Sequence, residues 1–359
     1  MSTMRKQDIN KDGKQVLCTV PEMPRRVLEA NISDQRASLI RINEKKWVNG
    51  TVLHFCFLDE PANWRGGDDQ KDAVRNAFSE WKQLGIGLEF SEVTDPQDSE
   101  IRIGFDQNGG SWSYVGRDNV DYATDPDERT MNFGWDLTTD YGHDTALHEI
   151  GHAIGFSHEH QNPKSGIQWD KPAVINYFAG NPNYWSEEQT RHNILRKLNA
   201  NETDGSEWDK DSIMHYQFPS GMIIKPEQYQ DNPLIPESGL SPTDIIEVLR
   251  FYPGIDTNLP ELRPWESHRI RIGAGEQMDF VIKPKYSREY TMQTFGRMDT
   301  VMVFFEEING ENVYYNGDDD SGTSLNAKII ARMVRGRTYV LRIRLYYAEQ
   351  AGQGALMMW

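Results

Sequence analysis

The chain has 359 residues, 37% of them hydrophobic and 11% aromatic, enough apolar material for two folded domains and too much for wholesale disorder. Its formal net charge is −17, from 55 acidic against 38 basic side chains, a field that repels phosphate backbones and argues against nucleic acid as a partner. We read that acidity as solubility rather than as a calcium or substrate site, and no window approaches the roughly 18 apolar residues of a membrane span.

Residues 1–45 form a polar extension or prosegment without strong periodicity. Met1 to Lys14 carries no apolar stretch and reads as lacking a secretory signal peptide. That leaves a leader already removed, export by a route that needs none, or residence in the cytoplasm. The two cysteines, Cys18 and Cys56, cannot build a disulfide framework.

From Trp47 the pattern sharpens into a first domain, 46–255. Thr51 to Leu58 reads as a buried strand. Lys71 to Leu84 spaces Val74, Ala77, Phe78, Trp81 and Leu84 as an amphipathic helix. Leu88 to Phe90, then Ile101, Ile103 and Phe105, read as strands. Ser186 with Gln189 three positions on is a capping box, and Ser241-Pro242 opens a helix that stops at Pro253-Gly254. A linker follows at 256–265. The remainder, 266–359, has short alternating runs such as Tyr339 to Leu345 and reads as an all-β sandwich. The fold class is thus α+β, a mixed twisted sheet with a long helix, followed by the sandwich. No internal repeat is visible.

The long helix carries His148-Glu149-Ile150-Gly151-His152. Two histidines four apart differ by only about 40° around a helix, so both imidazoles can face one ion. His158 lies six further on and reaches the same ion only if the helix stops and turns. Gly155 is the residue type that permits such a turn. Three neutral imidazoles hold zinc and leave a position for water, and Glu149 beside them is placed to act as general base. A bare H-E-x-x-H recurs by chance, but core histidines satisfied by hydrogen bonds would need no glycine break.

With His158 and a downstream Ser212-Ile213-Met214-His215-Tyr216, the chain resembles the metzincin zinc peptidases, in which a methionine turn lies beneath the metal. Glu159 after the third histidine, and Tyr216 two after Met214, make the resemblance one to the astacins. It spans about Trp47 to Tyr252, with a bacterial flavour in His158 to Pro163. The resemblance implies one catalytic Zn2+ on His148, His152 and His158, with Met214 below it. Tyr216 would be a movable fifth ligand that swings out to help the oxyanion, a structural tyrosine being the alternative. It also implies that Trp112, Ser113 and Tyr114, within Gly110 to Arg117, form an edge strand to which an extended substrate adds. His160 is expected to shape the cleft rim.

Two departures stand out. The paired cysteines of animal astacins are missing. Maturation is open, with Arg36-Ala37 a candidate cleavage point and Glu159 the family's contact for the new N-terminus. Cys18 has two readings: an incidental residue, or a prosegment thiolate in the open zinc position. The C-terminal domain resembles the bacterial pre-peptidase C-terminal β-sandwich through Tyr290 to Thr294, Asp299 to Val301, the Asp318-Asp319-Asp320 loop, Asn326 to Ile329 and Gly336 to Tyr339. That loop is a Ca2+ candidate or a solvated turn.

The expected function is a secreted or otherwise exported zinc-dependent endopeptidase, a monomer whose substrates are proteins or peptides. A restricted processing protease delivered to another cell as a bacterial effector is a second reading, and an adhesive protein with a silent peptidase domain is a third.

Overall fold

The computed structural model describes residues 17–23, 45–47, 49–198, 207–255, 258–308, 311–347 and 350–359. Arg36-Ala37 lies outside them. The chain divides into two compact units. The first draws on Met1–Trp47, Leu53–Leu84 and Phe90–Ile245, and the second on Val48–Val52, Gly85–Glu89 and Ile246–Trp359.

In the first unit, β1 (Val52–Phe57) leads to α1 (Asp68–Gln83), β2 (Glu89–Glu92), β3 (Ile101–Gly104), β4 (Trp112–Ser113), α2 (Asp118–Asp121) and β5 (Met131–Asn132). These strands form a five-stranded sheet in the order β2-β1-β3-β5-β4. The pairs β1–β3 and β3–β5 are parallel, and β4 runs antiparallel to β5 at the edge. All four residues of the central β3 are buried, as a strand covered on both faces requires. Of the five residues spaced in the sequence, α1 buries Val74, Ala77, Phe78 and Trp81, while Leu84 is the C-cap and only half-buried. Phe78 stacks on Phe55 of β1 with ring centroids 4.4 Å apart.

The zinc-motif helix, α3 (Asp140–Ala153), starts at Thr139, whose hydroxyl accepts the Gly142 amide at 3.0 Å. The Trp81 indole donates to the Leu147 carbonyl at 3.1 Å and ties α1 to α3. Beyond it come β6 (Gln168–Trp169), α4 (Lys171–Ala179), α5 (Glu187–Thr190), β7 (Ile223–Lys225) and α6 (Pro242–Phe251). Ser186 caps α5 by accepting the Gln189 amide at 3.0 Å, as its sequence pattern predicts. The chain then runs on into a π-helical turn, Arg191–Leu195.

Among its described residues the second unit contains eight strands: β8 (Ser267–Ile272), β9 (Gln277–Ile282), β10 (Arg288–Gly296), β11 (Thr300–Ile308), β12 (Glu311–Asp318), β13 (Lys328–Met333), β14 (Tyr339–Leu345) and β15 (Gly352–Met358). They form two four-stranded sheets, β13-β10-β15-β8 and β12-β11-β14-β9. Alternate residues of both, among them Phe280, Tyr290, Phe304 and Leu341, make one apolar core. An ion pair is buried within this unit. The Arg342 guanidinium donates from Nε and Nη2 to Asp279 at 3.0 and 2.8 Å, lies 5.1 Å from the Phe305 ring centre, and is fully buried. In the aspartate loop, Asp318 accepts from the Ser321 amide at 3.0 Å, the Lys328 amide at 2.7 Å and the Ser321 hydroxyl. Its carboxylate thereby serves the turn.

Candidate metal centre

Helix α3 places His148 and His152 on one face, and the reversal at its end brings in His158. Gly155 has φ +108°, a region that L side chains rarely adopt. Its amide donates to the His152 carbonyl at 2.8 Å, and the Phe156 amide donates to the Gly151 carbonyl at 3.0 Å. This pair of bonds is a Schellman close, and it satisfies carbonyls that the helix end would leave bare. The reversed chain then brings the His158 ring to within 5.3 Å of the His148 ring, centre to centre.

The imidazoles are fixed from behind. His148 Nδ1 lies 2.7 Å from the Ile213 carbonyl, and His152 Nδ1 lies 2.7 Å from the Phe156 carbonyl. A carbonyl accepts only from N–H, so both rings carry their proton on Nδ1 and turn a bare Nε2 inward. Those nitrogens converge. His152 Nε2 and His158 Nε2 are 3.0 Å apart. Burial holds the rings neutral, with His148 lowered to about 4 and His152 and His158 well below their ordinary value.

A fourth donor completes the cluster. Cys18 Sγ stands 3.1 Å from His148 Nε2 and 3.4 Å from His158 Nε2. One ligand atom from each of Cys18, His148, His152 and His158 lies within 4.8 Å of the others, and all four residues are buried. Tetrahedral zinc with Zn–N near 2.1 Å sets its nitrogens about 3.4 Å apart, close to this spacing. Bare nitrogens and a sulfur packed this tightly away from water are the donor set zinc takes, so the residues fit the ion. The Cys18 thiol lies among the imidazoles, the position that the second of its two readings gives it.

Glu149 is fully buried and neither carboxyl oxygen has a hydrogen-bond partner among the described residues. Burial pushes it well above the usual carboxylate range. Burial, and then the negative charge of Glu149, likewise push the Cys18 thiol up. Met214 sits under α3, where a Cβ on Gly151 would come within 2.4 Å of its sulfur. The Tyr216 hydroxyl lies 3.1 Å from Cys18 Sγ and donates to the Cys18 carbonyl at 2.8 Å. Glu159 accepts from the Asp209 amide and the Asn162 side chain, and burial raises it to about 7.

His160 is not at the rim. It is fully buried, stacked on Tyr216 with centroids 4.8 Å apart, and its Nε2 lies 2.8 Å from the Asn193 carbonyl. The short 3-10 turn Glu159–Gln161 folds it inward, against the expectation from sequence.

Strand β4 is the sheet edge, as expected for Trp112 and Ser113, with the Tyr114 amide bonded to the Thr130 carbonyl at 3.0 Å. That edge is covered. Thr19 bridges Trp112 in parallel, and its amide donates to the Ser111 carbonyl at 3.0 Å. Leu17 donates its amide to Asn183 Oδ1 at 3.2 Å, and Val20 to Asn193 Oδ1 at 2.9 Å. Sequence reasoning did not find Asn183 or Asn193, because an isolated asparagine in a turn has no periodic signal.

A helix-borne histidine pair with intervening glutamate, a third histidine after a glycine close and a methionine beneath define a metzincin-type metallopeptidase. The sequence model of the Astacin peptidase family matches residues 40–223, just over half of the chain. The chain belongs to the astacin family, whose members bind zinc. The structure of myroilysin is similar at 33% identity and a TM-score of 0.52, covering 59% of this chain and 97% of that one. Protein SpAN of Strongylocentrotus purpuratus is 31% identical over 152 residues, 41% of this chain and 21% of its own length. Bone morphogenetic protein 1 of Xenopus laevis is 28% identical over 231 residues, 61% of this chain and 28% of its own. The chain therefore spans only 21% to 28% of the length of these curated relatives. No helix among the described residues is long and apolar enough to cross a membrane.

Proposed function

We propose that this chain is a zinc-dependent endopeptidase kept latent by its own N-terminal segment. The observation that carries the reading is the convergence of His148, His152 and His158 on one point, with Cys18 as fourth donor. Those three histidines would hold zinc in the active form, and Cys18 would join them in the latent one. Bound there, zinc supplies Lewis-acid activation of water and of the scissile carbonyl.

The protein's own groups do the rest. Glu149, buried beside the histidines, takes a proton from the attacking water and passes it to the leaving amine. Burial raises this carboxyl, and a nearby dication offsets that rise, which leaves it a competent base. Tyr216 already donates to a peptide carbonyl, that of Cys18, at 2.8 Å. With the segment gone, the same hydroxyl serves the oxyanion of a substrate. The substrates are proteins or peptides, met outside the producing cell; finding the chain in culture medium checks the location.

The test is casein cleavage by the processed chain. Glu149→Ala should lower the rate roughly 10²- to 10⁴-fold with zinc content unchanged. Undiminished cleavage would remove Glu149 from the mechanism. For latency, Cys18→Ser in the uncut chain should raise basal activity, because a hydroxyl is a far weaker zinc ligand than a thiolate. Unchanged latency would sink the role given to Cys18.

A further inference from the structure

Residues 17–20 lie in the cleft as an extended peptide, and the way they are held is informative about any other peptide. Successive amides of an extended chain point to opposite sides, so a peptide is gripped only if acceptors flank it. Here they do. The Thr19 amide goes to the Ser111 carbonyl at 3.0 Å, and the next amide, Val20, goes to Asn193 Oδ1 at 2.9 Å. The Leu17 amide goes to Asn183 Oδ1 at 3.2 Å. Each bond is to the main chain, so none depends on the identity of residues 17, 19 or 20.

Asn193 is itself built in. Asn193 is buried, its Nδ2 donates to the Gln189 carbonyl at 3.1 Å, and its own carbonyl lies 2.8 Å from His160 Nε2. It sits in the π-helical turn Arg191–Leu195, a local widening that is frequent at functional sites. Asn183 lines a cavity of about 380 Å³ together with Ser111, Leu17, Thr19, Trp135 and Trp185. The held segment thus runs past open volume large enough for a substrate side chain.

We infer that Asn183 and Asn193 are substrate-binding residues: their side-chain carbonyls accept main-chain amides of the protein substrate, and the N-terminal segment occupies the same acceptors. The inference rests on the endopeptidase reading above. An acceptor suited to one extended main chain suits another, whichever way the chain runs, because amides recur along both of its sides. Latency and substrate binding then share their anchors, and the segment competes with substrate rather than merely covering the metal.

The experiment uses the full chain processed by limited tryptic cleavage between residues 24 and 44, freed of the released piece and checked by mass. The substrates are casein-derived peptides of eight or more residues. The competitor is a synthetic peptide of residues 15–22 carrying Cys18→Ala, so that sulfur plays no part. Asn193→Leu and Asn183→Leu should each raise KM and the competitor's inhibition constant together, by about three- to tenfold, the scale of one hydrogen bond, with kcat within about twofold. Asn183→Asp, which keeps the acceptor, should restore both constants. A competitor constant that rises while KM does not would confine the asparagines to latency and overturn the inference. Loss of kcat and of zinc content would show a purely structural role and overturn it as well. No turnover by the zinc-loaded wild-type chain would instead overturn the peptidase reading, and this inference with it.

Discussion

At the scale of single residues, Tyr216 and Gly151 have the most to lose. Tyr216 is buried, and burial together with the neighbouring thiol pushes its hydroxyl well above its ordinary value, so it stays a donor. Tyr216→Phe should lower kcat by roughly 10²-fold, the effect of one lost oxyanion donor, while zinc remains bound; atomic absorption beside a peptide assay reads both. Gly151 is a case where helix propensity and packing disagree. Alanine would favour the helix by about 1 kcal/mol. Its methyl would also meet Met214 Sδ at 2.4 Å and Trp81 at 3.5 Å in a filled interior. Packing wins, so Gly151→Ala should lower the melting temperature rather than raise it, as calorimetry would show.

At the scale of elements, the decisive feature is where α3 ends. The helix carries His148 and His152, and the Schellman close at Gly155 turns the chain so that His158 meets them. An L side chain at φ +108° is strained whatever the space around it. Gly155→Ala should therefore cost about 1–2 kcal/mol and loosen the placement of His158. Zinc affinity, measured by competition with a chromogenic chelator, should fall with it. Much of this element was legible beforehand, because a histidine pair and a glycine are local signals. The π-helical turn after α5 was not. Ser186 announces the helix start, but nothing in the sequence marks that the ladder widens to present Asn193.

At the scale of the whole molecule, two stabilising devices are separable. Zinc held by His148, His152 and His158 would stabilise the folded first unit, so chelation should lower its melting temperature, by an amount that grows with the logarithm of free zinc over the dissociation constant. A scan with and without 1,10-phenanthroline tests this. In the second unit the Arg342–Asp279 pair is desolvated, and removing one partner leaves the other charge buried and alone. Arg342→Ala should destabilise by about 3–5 kcal/mol without altering zinc content, whereas replacing both by apolar residues should cost much less. Denaturant unfolding of the single and double variants distinguishes the two.

By itself the sequence marked the three histidines, the helix that bears two of them, the glycine break that turns the chain toward the third, the methionine beneath and the β-rich C-terminal domain. Each of these is written in residues a few positions apart, where periodicity and backbone chemistry act directly. What only the tertiary structure decided is which distant residues share that point. Cys18 meets His148 across 130 residues and Tyr216 across 198, and Val20 meets Asn193 across 173. No local pattern encodes such pairings. They follow from the packing of the whole first unit, which brings a polar N-terminal segment along the sheet edge and sets its one cysteine among the histidines.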